Sequence, residues 1–265
     1  MSRPRLGEPI ARGRTAEIYA WGEGQILKLF HDWFDEAAID YESRLARAVH
    51  RTGLPVPAVG EIIEFEGRRG LIYERVDGPT MLAQLVSRPW RLAGSARCLA
   101  QLHAEMHSCD IEADLPAQHR RLEDKIGQAP ILSHALREQR LGELATLPAG
   151  QRLCHGDFHP GNVILAGGGP VVIDWIDVTL GNPLADVART SVLFLGARAG
   201  PGPSPLPKLM LSLYHRLYLR YYFRLRPGGQ GEYRAWYPIV AAARLDEGIA
   251  ELETWLLAQA RDGLG

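Results

Sequence analysis

The densest run of chemistry-capable side chains lies mid-chain, in His155-Gly156-Asp157-Phe158-His159-Pro160-Gly161-Asn162, with Asp174-Trp175-Ile176-Asp177 following. Two apolar runs separate these clusters, Val163-Ile164-Leu165 and Val171-Val172-Ile173, joined by Ala166-Gly167-Gly168-Gly169-Pro170. That pattern predicts a β-hairpin, and a hairpin holds its two ends close, so the polar clusters are expected to face one another. Two chemistries fit them. In one, His155, Asp157, His159 and Asp174 are the ligands of a metallohydrolase. In the other, Asp157 is a proton acceptor, while Asn162 and Asp174 offer hard oxygens to Mg²⁺ bound against a nucleotide. Asn162 has a task only in the second. Turn formation accounts for Pro160-Gly161-Asn162, but not for a carboxylate on each arm of the hairpin.

The rest of the chain favours the second chemistry. Phosphoryl transfer by a kinase requires a lysine on the phosphates, a carboxylate that holds it, a group facing the attacking hydroxyl and metal ligands. Only three of the 30 basic residues are lysines, and one of them, Lys28, sits in the apolar run Ile26-Leu27-Lys28-Leu29-Phe30. A charge in such a strand calls for a partner, and Glu42 in the helical pattern that follows is the expected one. Around these residues, strands are predicted at 9–12, 16–21, 25–30, 59–66 and 69–75, with a helix over 37–51 whose Ile39, Glu42, Leu45 and Val49 share a face. Gly53-Leu54-Pro55-Val56-Pro57 ends that helix.

From about residue 79 the pattern is mainly helical. Leu92, Ala96, Leu99, Leu102 and Met106 form one apolar stripe; Leu206, Met210, Leu213, Leu217 and Tyr221 form a second; Leu245, Ile249, Leu252 and Leu256 form a third. All three are expected to face a core. Gly196 to Pro207 is a loop by composition.

Taken together, these residues resemble the aminoglycoside phosphotransferase and choline kinase superfamily, relatives of the protein kinases. The resemblance rests on His155-Gly156-Asp157 with Asn162, on Ile173-Asp174-Trp175 across a hairpin, and on the Lys28 strand with Glu42. Leu102-His103 and Gly181-Asn182-Pro183-Leu184-Ala185-Asp186 add to it. It implies an α+β, bilobal, protein-kinase-like fold, with a nucleotide-binding lobe at 1–76 and a catalytic and acceptor-binding lobe at 77–265. It also implies ATP and Mg²⁺ as cofactors and a small-molecule hydroxyl as acceptor. By the same likeness Asp157 orients or deprotonates the acceptor, Asn162 and Asp174 ligate Mg²⁺, and Lys28 held by Glu42 contacts the phosphates. His155 and Asp186 brace the catalytic loop, and the Glu74 carbonyl and Val76 N–H pair with adenine where the lobes meet. Two departures stand out. The Gly-rich loop is reduced to Arg12-Gly13-Arg14-Thr15-Ala16-Glu17, leaving Thr15 and its neighbours to cap the phosphates. Asp174-Trp175-Ile176 lacks the glycine that follows the metal aspartate in protein kinases. Missing glycines are also the only support for a non-catalytic, nucleotide-binding pseudokinase.

The acceptor is less determined. Asp246, Glu247 and Glu251, placed on a C-terminal helix, suit a polycationic aminoglycoside and with it a role in antibiotic resistance, while choline-, thiamine- or sugar-like alcohols remain the alternative. Arg216, Arg220, Arg224 and Arg226 on the preceding helix favour an anionic or neutral substrate if they face the site. Composition excludes other classes. The 265 residues carry 30 basic and 31 acidic side chains, a net charge of −1, which argues against a general nucleic-acid or membrane-surface binder. Three scattered cysteines without a CxxC pair fit a reducing compartment with buried thiols. With no apolar leader at the N-terminus, a cytoplasmic protein is expected.

Overall fold

A computed structural model describes residues 6–13, 15–109, 111, 114–200 and 205–263. In chain order its elements are β1 (Ala11–Arg12), β2 (Ala16–Trp21), β3 (Gln25–Phe30), α1 (Glu36–His50), β4 (Val59–Phe65), β5 (Arg68–Glu74), α2 (Met81–Ser87), α3 (Leu92–Met106), α4 (Gln118–Gln128), α5 (His134–Thr146) and β6 (Arg152–Cys154). There follow β7 (Val163–Ala166), β8 (Gly169–Val172), β9 (Thr179–Gly181), α6 (Pro183–Ala199), α7 (Pro205–Leu225), α8 (Gln230–Arg244) and α9 (Glu253–Asp262). The chain divides into two compact units: Met1–Leu82 with Gly161–Ile176, and Ala83–Pro160 with Asp177–Gly265.

The first unit holds an antiparallel sheet in the order β1-β2-β3-β5-β4. Alternation along β3 sorts its side chains. Leu27 and Leu29 pack with Phe65 and Ile72 on one face. Phe30 packs with Ala16, Ile39 and Leu71 on the other, the face covered by α1. Helix α1 starts where the Asp35 carboxylate accepts from the Ala37 N–H at 3.1 Å, and it buries Ile39, Glu42, Leu45 and Val49, the face read from the sequence.

The β7–β8 hairpin also belongs to this unit, so the contact units differ here from lobes cut once near residue 76. Backbone hydrogen bonds give the reason. Leu165 N–H donates to the Pro79 carbonyl at 2.9 Å and Val172 N–H to the Pro55 carbonyl at 2.8 Å, while Thr80 bridges Ile164. The hairpin is tighter than its composition implies: Ala166 pairs with Gly169, leaving two residues to turn the chain.

In the second unit α3 packs on α7, and α6 packs on both α7 and α8. Trp236, Tyr237, Tyr218, Tyr222 and Phe158 are fully buried there. The α3 stripe of Leu92, Ala96, Leu99, Leu102 and Met106 is buried as expected. The α7 stripe is not. Leu206 and Leu213 are exposed, and α7 instead buries Tyr214, His215, Tyr218 and Tyr222. Three of these tyrosines meet polar partners on α3: Tyr214 with Ser95 at 3.1 Å, Tyr218 with His103 Nδ1 at 2.6 Å and Tyr222 with His107 Nδ1 at 2.7 Å. An aromatic ring with a satisfied hydroxyl outcompetes leucine at this interface.

Two further expectations are corrected. The predicted loop at 196–207 is largely helical, since α6 runs through Ala199 and α7 starts at Pro205; residues 201–204 lie outside the described residues. The third stripe is not one helix either. Short 3₁₀ turns cover Leu245–Glu247 and Ala250–Leu252, and between them Gly248 sits at φ 61°, a left-handed conformation that ends helical continuation. Asp246, Glu247 and Glu251 therefore lie on two turns before α9 and not on one C-terminal helix. Cys98 and Cys109 are part-exposed, and Cys154 alone is buried. Among the described residues no helix is long and apolar enough to cross a membrane.

Candidate active site

In the first unit Lys28 shares the α1-facing side of β3 with Phe30, two residues on. This puts its Nζ 2.7 Å from Glu42 Oε1. A carboxylate on the apolar face of α1 is costly without partners. Glu42 has a second one, the Tyr73 hydroxyl, which donates to the same oxygen at 3.0 Å. Burial and the Glu42 charge hold the Tyr73 phenol well above its ordinary value, so it stays a donor. Sequence reading missed Tyr73; its place on β5 opposite Ile26 is the signal that a sheet register would have supplied.

Asn162 and Asp174 are brought to one end of the β7–β8 hairpin, where Ile173 N–H donates to the Asn162 carbonyl at 3.0 Å. Asn162 is buried, whereas Asp174 is exposed and stands at φ 65°, an uncommon conformation for a residue with a side chain. An amide oxygen and a carboxylate are hard donors of the kind Mg²⁺ takes when most of its other ligands are water and phosphate. Thr15 lies part-buried in the turn where Gly13 N–H donates to the Ala16 carbonyl at 2.8 Å. Glu74 closes β5: its N–H donates to the Ala58 carbonyl and its side chain accepts from the Ala58 N–H, both at 2.9 Å, with Val76 two residues beyond.

In the second unit the loop after β6 carries His155, Gly156 and Asp157. Gly156 is at φ 80°, and a β-carbon there would stand 2.4 Å from the Asp177 carbonyl oxygen, so only glycine fits. The Asp186 carboxylate holds this loop from below, accepting from His155 N–H at 2.6 Å and Gly156 N–H at 2.9 Å. It also meets His103 Nε2 at 3.0 Å and His107 Nε2 at 3.3 Å. An ionised carboxylate only accepts, so both Nε2 atoms donate to it. Burial opposes the Asp186 charge, but the hydrogen bonds from His103 and His107 outweigh it, keeping the carboxyl well below its usual range. Burial together with the neighbouring His103 pushes His107 down to about 3, so His107 is neutral and its Nδ1 accepts from Tyr222.

Asp186 reaches the loop because α6 begins one turn earlier. Asn182 caps it by accepting from Leu184 N–H at 2.9 Å, and Pro183 occupies the first turn. Arg189, three residues after Asp186, projects from the same face. Its Nε donates to the Gly156 carbonyl at 2.9 Å, and its Nη2 lies 3.4 Å from Asp157 Oδ1 and 2.6 Å from Glu247 Oε1. His159 Nε2 is 3.5 Å from Asp157 Oδ2. Burial raises the Asp157 pKa, but the His159 hydrogen bond and the Arg189 charge outweigh it, so the carboxylate is held well below its ordinary range. Arg189 itself stays charged, since Glu247, Asp157 and Asp177 overcome the penalty of its burial.

The structure therefore groups Lys28 with Glu42, and Asn162 with Asp174, in one unit; it groups His155, Asp157, Asp186 and Glu247 around Arg189 in the other. Asp246 is part-exposed and Glu251 exposed. Arg216, Arg220 and Arg224 are exposed on α7. Arg189 and His107 were not identified from the sequence, and His103 entered only through the family resemblance, although His103 and His107, an i, i+4 pair beside the apolar α3 stripe, offered a signal. Among the described residues, ligand atoms of a size to share one metal converge only at His103, His107 and Asp186. Hydrogen bonds occupy that cluster: both Nδ1 atoms face tyrosine hydroxyls and the carboxylate takes the loop N–H groups. The H-x-D-x-H residues do not form such a cluster, which removes the geometric basis of the metallohydrolase.

Comparison with known proteins bears on the same question. A family model described as the phosphotransferase enzyme family matches residues 7–256. A curated mouse protein, acyl-CoA dehydrogenase family member 10, is 26% identical over 187 residues, 59% of this chain; the match spans 17% of that protein's length. Among solved structures, a choline/ethanolamine kinase family protein from Mesorhizobium loti aligns at TM-score 0.62 and 16% identity, covering 97% of this chain and 84% of its own. An ADP-bound aminoglycoside phosphotransferase aligns at TM-score 0.63 and 16% identity, covering 96% and 93%. With the sheet, the helical unit and the family match in agreement, the chain belongs to the phosphotransferase enzyme family and has its kinase-like α+β fold.

Proposed function

We propose that this chain is an ATP- and Mg²⁺-dependent O-phosphotransferase that moves the γ-phosphoryl group of ATP to a hydroxyl of a small molecule. One observation carries the reading: Lys28, in a chain with three lysines, is fixed at 2.7 Å on a buried glutamate that a tyrosine also holds. A lysine held in this way offers a positioned charge to phosphate oxygens, which is most of what phosphoryl transfer asks of a protein.

In this reading Lys28 binds the phosphates, with Glu42 and Tyr73 fixing its direction, and Thr15 caps them. The backbone of Glu74 and Val76 pairs with adenine. Asn162 and Asp174 hold Mg²⁺, which when bound neutralises phosphate charge. Asp157 accepts a hydrogen bond from the acceptor hydroxyl and aims its oxygen. As the bond from that oxygen to the γ-phosphorus forms, the bond from phosphorus to the bridging oxygen of ADP breaks, and the hydroxyl proton passes to Asp157. With its pKa held low by His159 and Arg189, Asp157 is a weak base, so it acts chiefly by orientation and takes the proton late. His155 and Asp186 support the loop.

The test is ADP release by the full chain against aminoglycosides, choline-like amines, thiamine and sugar alcohols, with and without Mg²⁺. ADP formation that needs an acceptor, Mg²⁺ and Asp157 supports the reading. MgATP binding without ADP release for any acceptor would favour the pseudokinase, and retention of Zn²⁺ with hydrolytic activity would restore the metallohydrolase.

A further inference from the structure

In the second unit, beside the Gly156 backbone, α4, α6 and α8 line a half-open recess with about 470 Å³ of space, open solvent included. Four cationic side chains line it: Arg121 and Lys125 from α4, Arg189 from α6 and Arg244 from α8. Two carboxylates line it as well. Asp186 is engaged by the histidines and loop N–H groups, and Asp177 lies 3.3 Å from Arg121 and 4.0 Å from Lys125. Arg244 is different. It is 9% exposed, its Nε lies 3.3 Å from Glu247 Oε2 without the alignment of a hydrogen bond, and its Nη1 has no hydrogen-bond partner. Burial and the nearby Arg189 charge push its pKa down to about 10, the mark of a guanidinium short of compensation. Arg244 thus lines the recess while its Nε and Nη1 are buried without hydrogen bonds, and a planar guanidinium fork matches a carboxylate or phosphate.

We propose that this recess binds an anionic group of the acceptor, a carboxylate or phosphate monoester on a hydroxyl-bearing small molecule, through Arg244 and Arg121. The inference rests on the O-phosphotransferase reading and names its substrate class. A polycationic acceptor would meet an excess of like charge here, four cations against two carboxylates that are already engaged. Glu247, expected to receive ammonium groups, is already held by Arg189 at 2.6 Å and lies 3.3 Å from Arg244. The two edges of the recess divide the labour: Arg189 reaches Asp157, while Arg244 and Arg121 select the charge of what lies beside it.

Four probes that share vicinal hydroxyls and differ in charge test this on the full chain: D-glycerate, glycerol 3-phosphate, glycerol and 3-amino-1,2-propanediol. Coupled ADP release gives kcat/KM for each, and calorimetry gives the binding of each probe and of MgATP. At least one anion is expected to exceed glycerol about tenfold and the amine by more. The two anions separate carboxylate from phosphate recognition. Arg244→Gln should bring the anion-to-glycerol ratio close to one, and Arg121→Glu should turn the preference toward the amine. These ratios are internal to each variant, so a smaller folded fraction leaves them unchanged, and the part-exposed Arg121 serves if Arg244→Gln does not fold. If no probe is phosphorylated, anion binding that Arg121→Glu abolishes supports the proposal. Equal handling of all four probes, preference for the amine, or no anion binding at all would overturn it. Loss of the phosphotransferase reading itself would show differently, as no MgATP binding and no ADP with any acceptor.

Discussion

The two clusters of candidate site residues, one in each unit, are held by opposite means. Around Lys28 the contacts are an ion pair to Glu42 and the Tyr73 hydroxyl on the same oxygen, and Asp174 in the same unit is exposed. Around Asp186 a carboxylate with no solvent contact gathers two histidines and two backbone N–H groups, and the histidines in turn tie α3 to α7 through Tyr218 and Tyr222. In the proposed function the first arrangement binds a ligand that arrives from outside. The second fixes a loop conformation, with Gly156 φ-positive and pressed on Asp177, that the backbone would not hold alone. Substitutions should therefore separate function from stability in one half and join them in the other.

The largest effect is expected at Asp186. Asp186→Asn replaces an acceptor by a group that also donates, facing four donors; denaturant unfolding should show a loss of about 3–5 kcal/mol, with activity falling as the loop loosens. A loss under about 1 kcal/mol would make the network dispensable. Lys28→Met should behave in the reverse manner, lowering kcat/KM for ATP by about 10- to 100-fold while changing stability by less than about 1 kcal/mol, because a part-exposed ion pair contributes little to folding. Equal loss of stability at both sites would erase the contrast.

The pH dependence of folding sharpens it further. His107 is depressed from 6.5 to about 3, so the unfolded chain takes up this proton first. Its contribution is whole above pH 6.5 and is lost as pH falls from there toward 3, about 2 kcal/mol between pH 7 and 5. Thermal unfolding at those two pH values, on wild type and His107→Gln, should show the extra slope only in the wild type. The smallest effect is expected at Tyr73. Tyr73→Phe removes one hydrogen bond to Glu42, and steady-state kinetics should show a rise of about twofold to fivefold in the KM for ATP.

How far the sequence reveals these halves follows from where their residues sit. Lys28 and Glu42 lie on a strand and the helix after it, each with a clean period, and two periodicities suffice to bring them face to face. Asn162 and Asp174 bracket a hairpin, which is local as well. The α7 face was misread because hydrophobicity ranks leucine above tyrosine, whereas burial there is decided by Ser95, His103 and His107 on a helix about 115 residues away. The C-terminal stripe was misread because Gly248 interrupts a spacing that looks continuous. The arginine-lined recess draws on α4, α6 and α8, and no spacing within one element signals it; only tertiary packing assembles Arg121, Arg189 and Arg244.

The most direct test of the division between the halves is made on Asp157→Ala, measuring MgATP affinity by calorimetry and acceptor-dependent ADP release on the same protein. The expected result is affinity within about threefold of wild type with turnover lowered by 10²-fold or more, since in the proposed function Asp157 acts on the acceptor and not on the nucleotide. Turnover near the wild-type rate, or loss of MgATP binding in a folded variant, would contradict it.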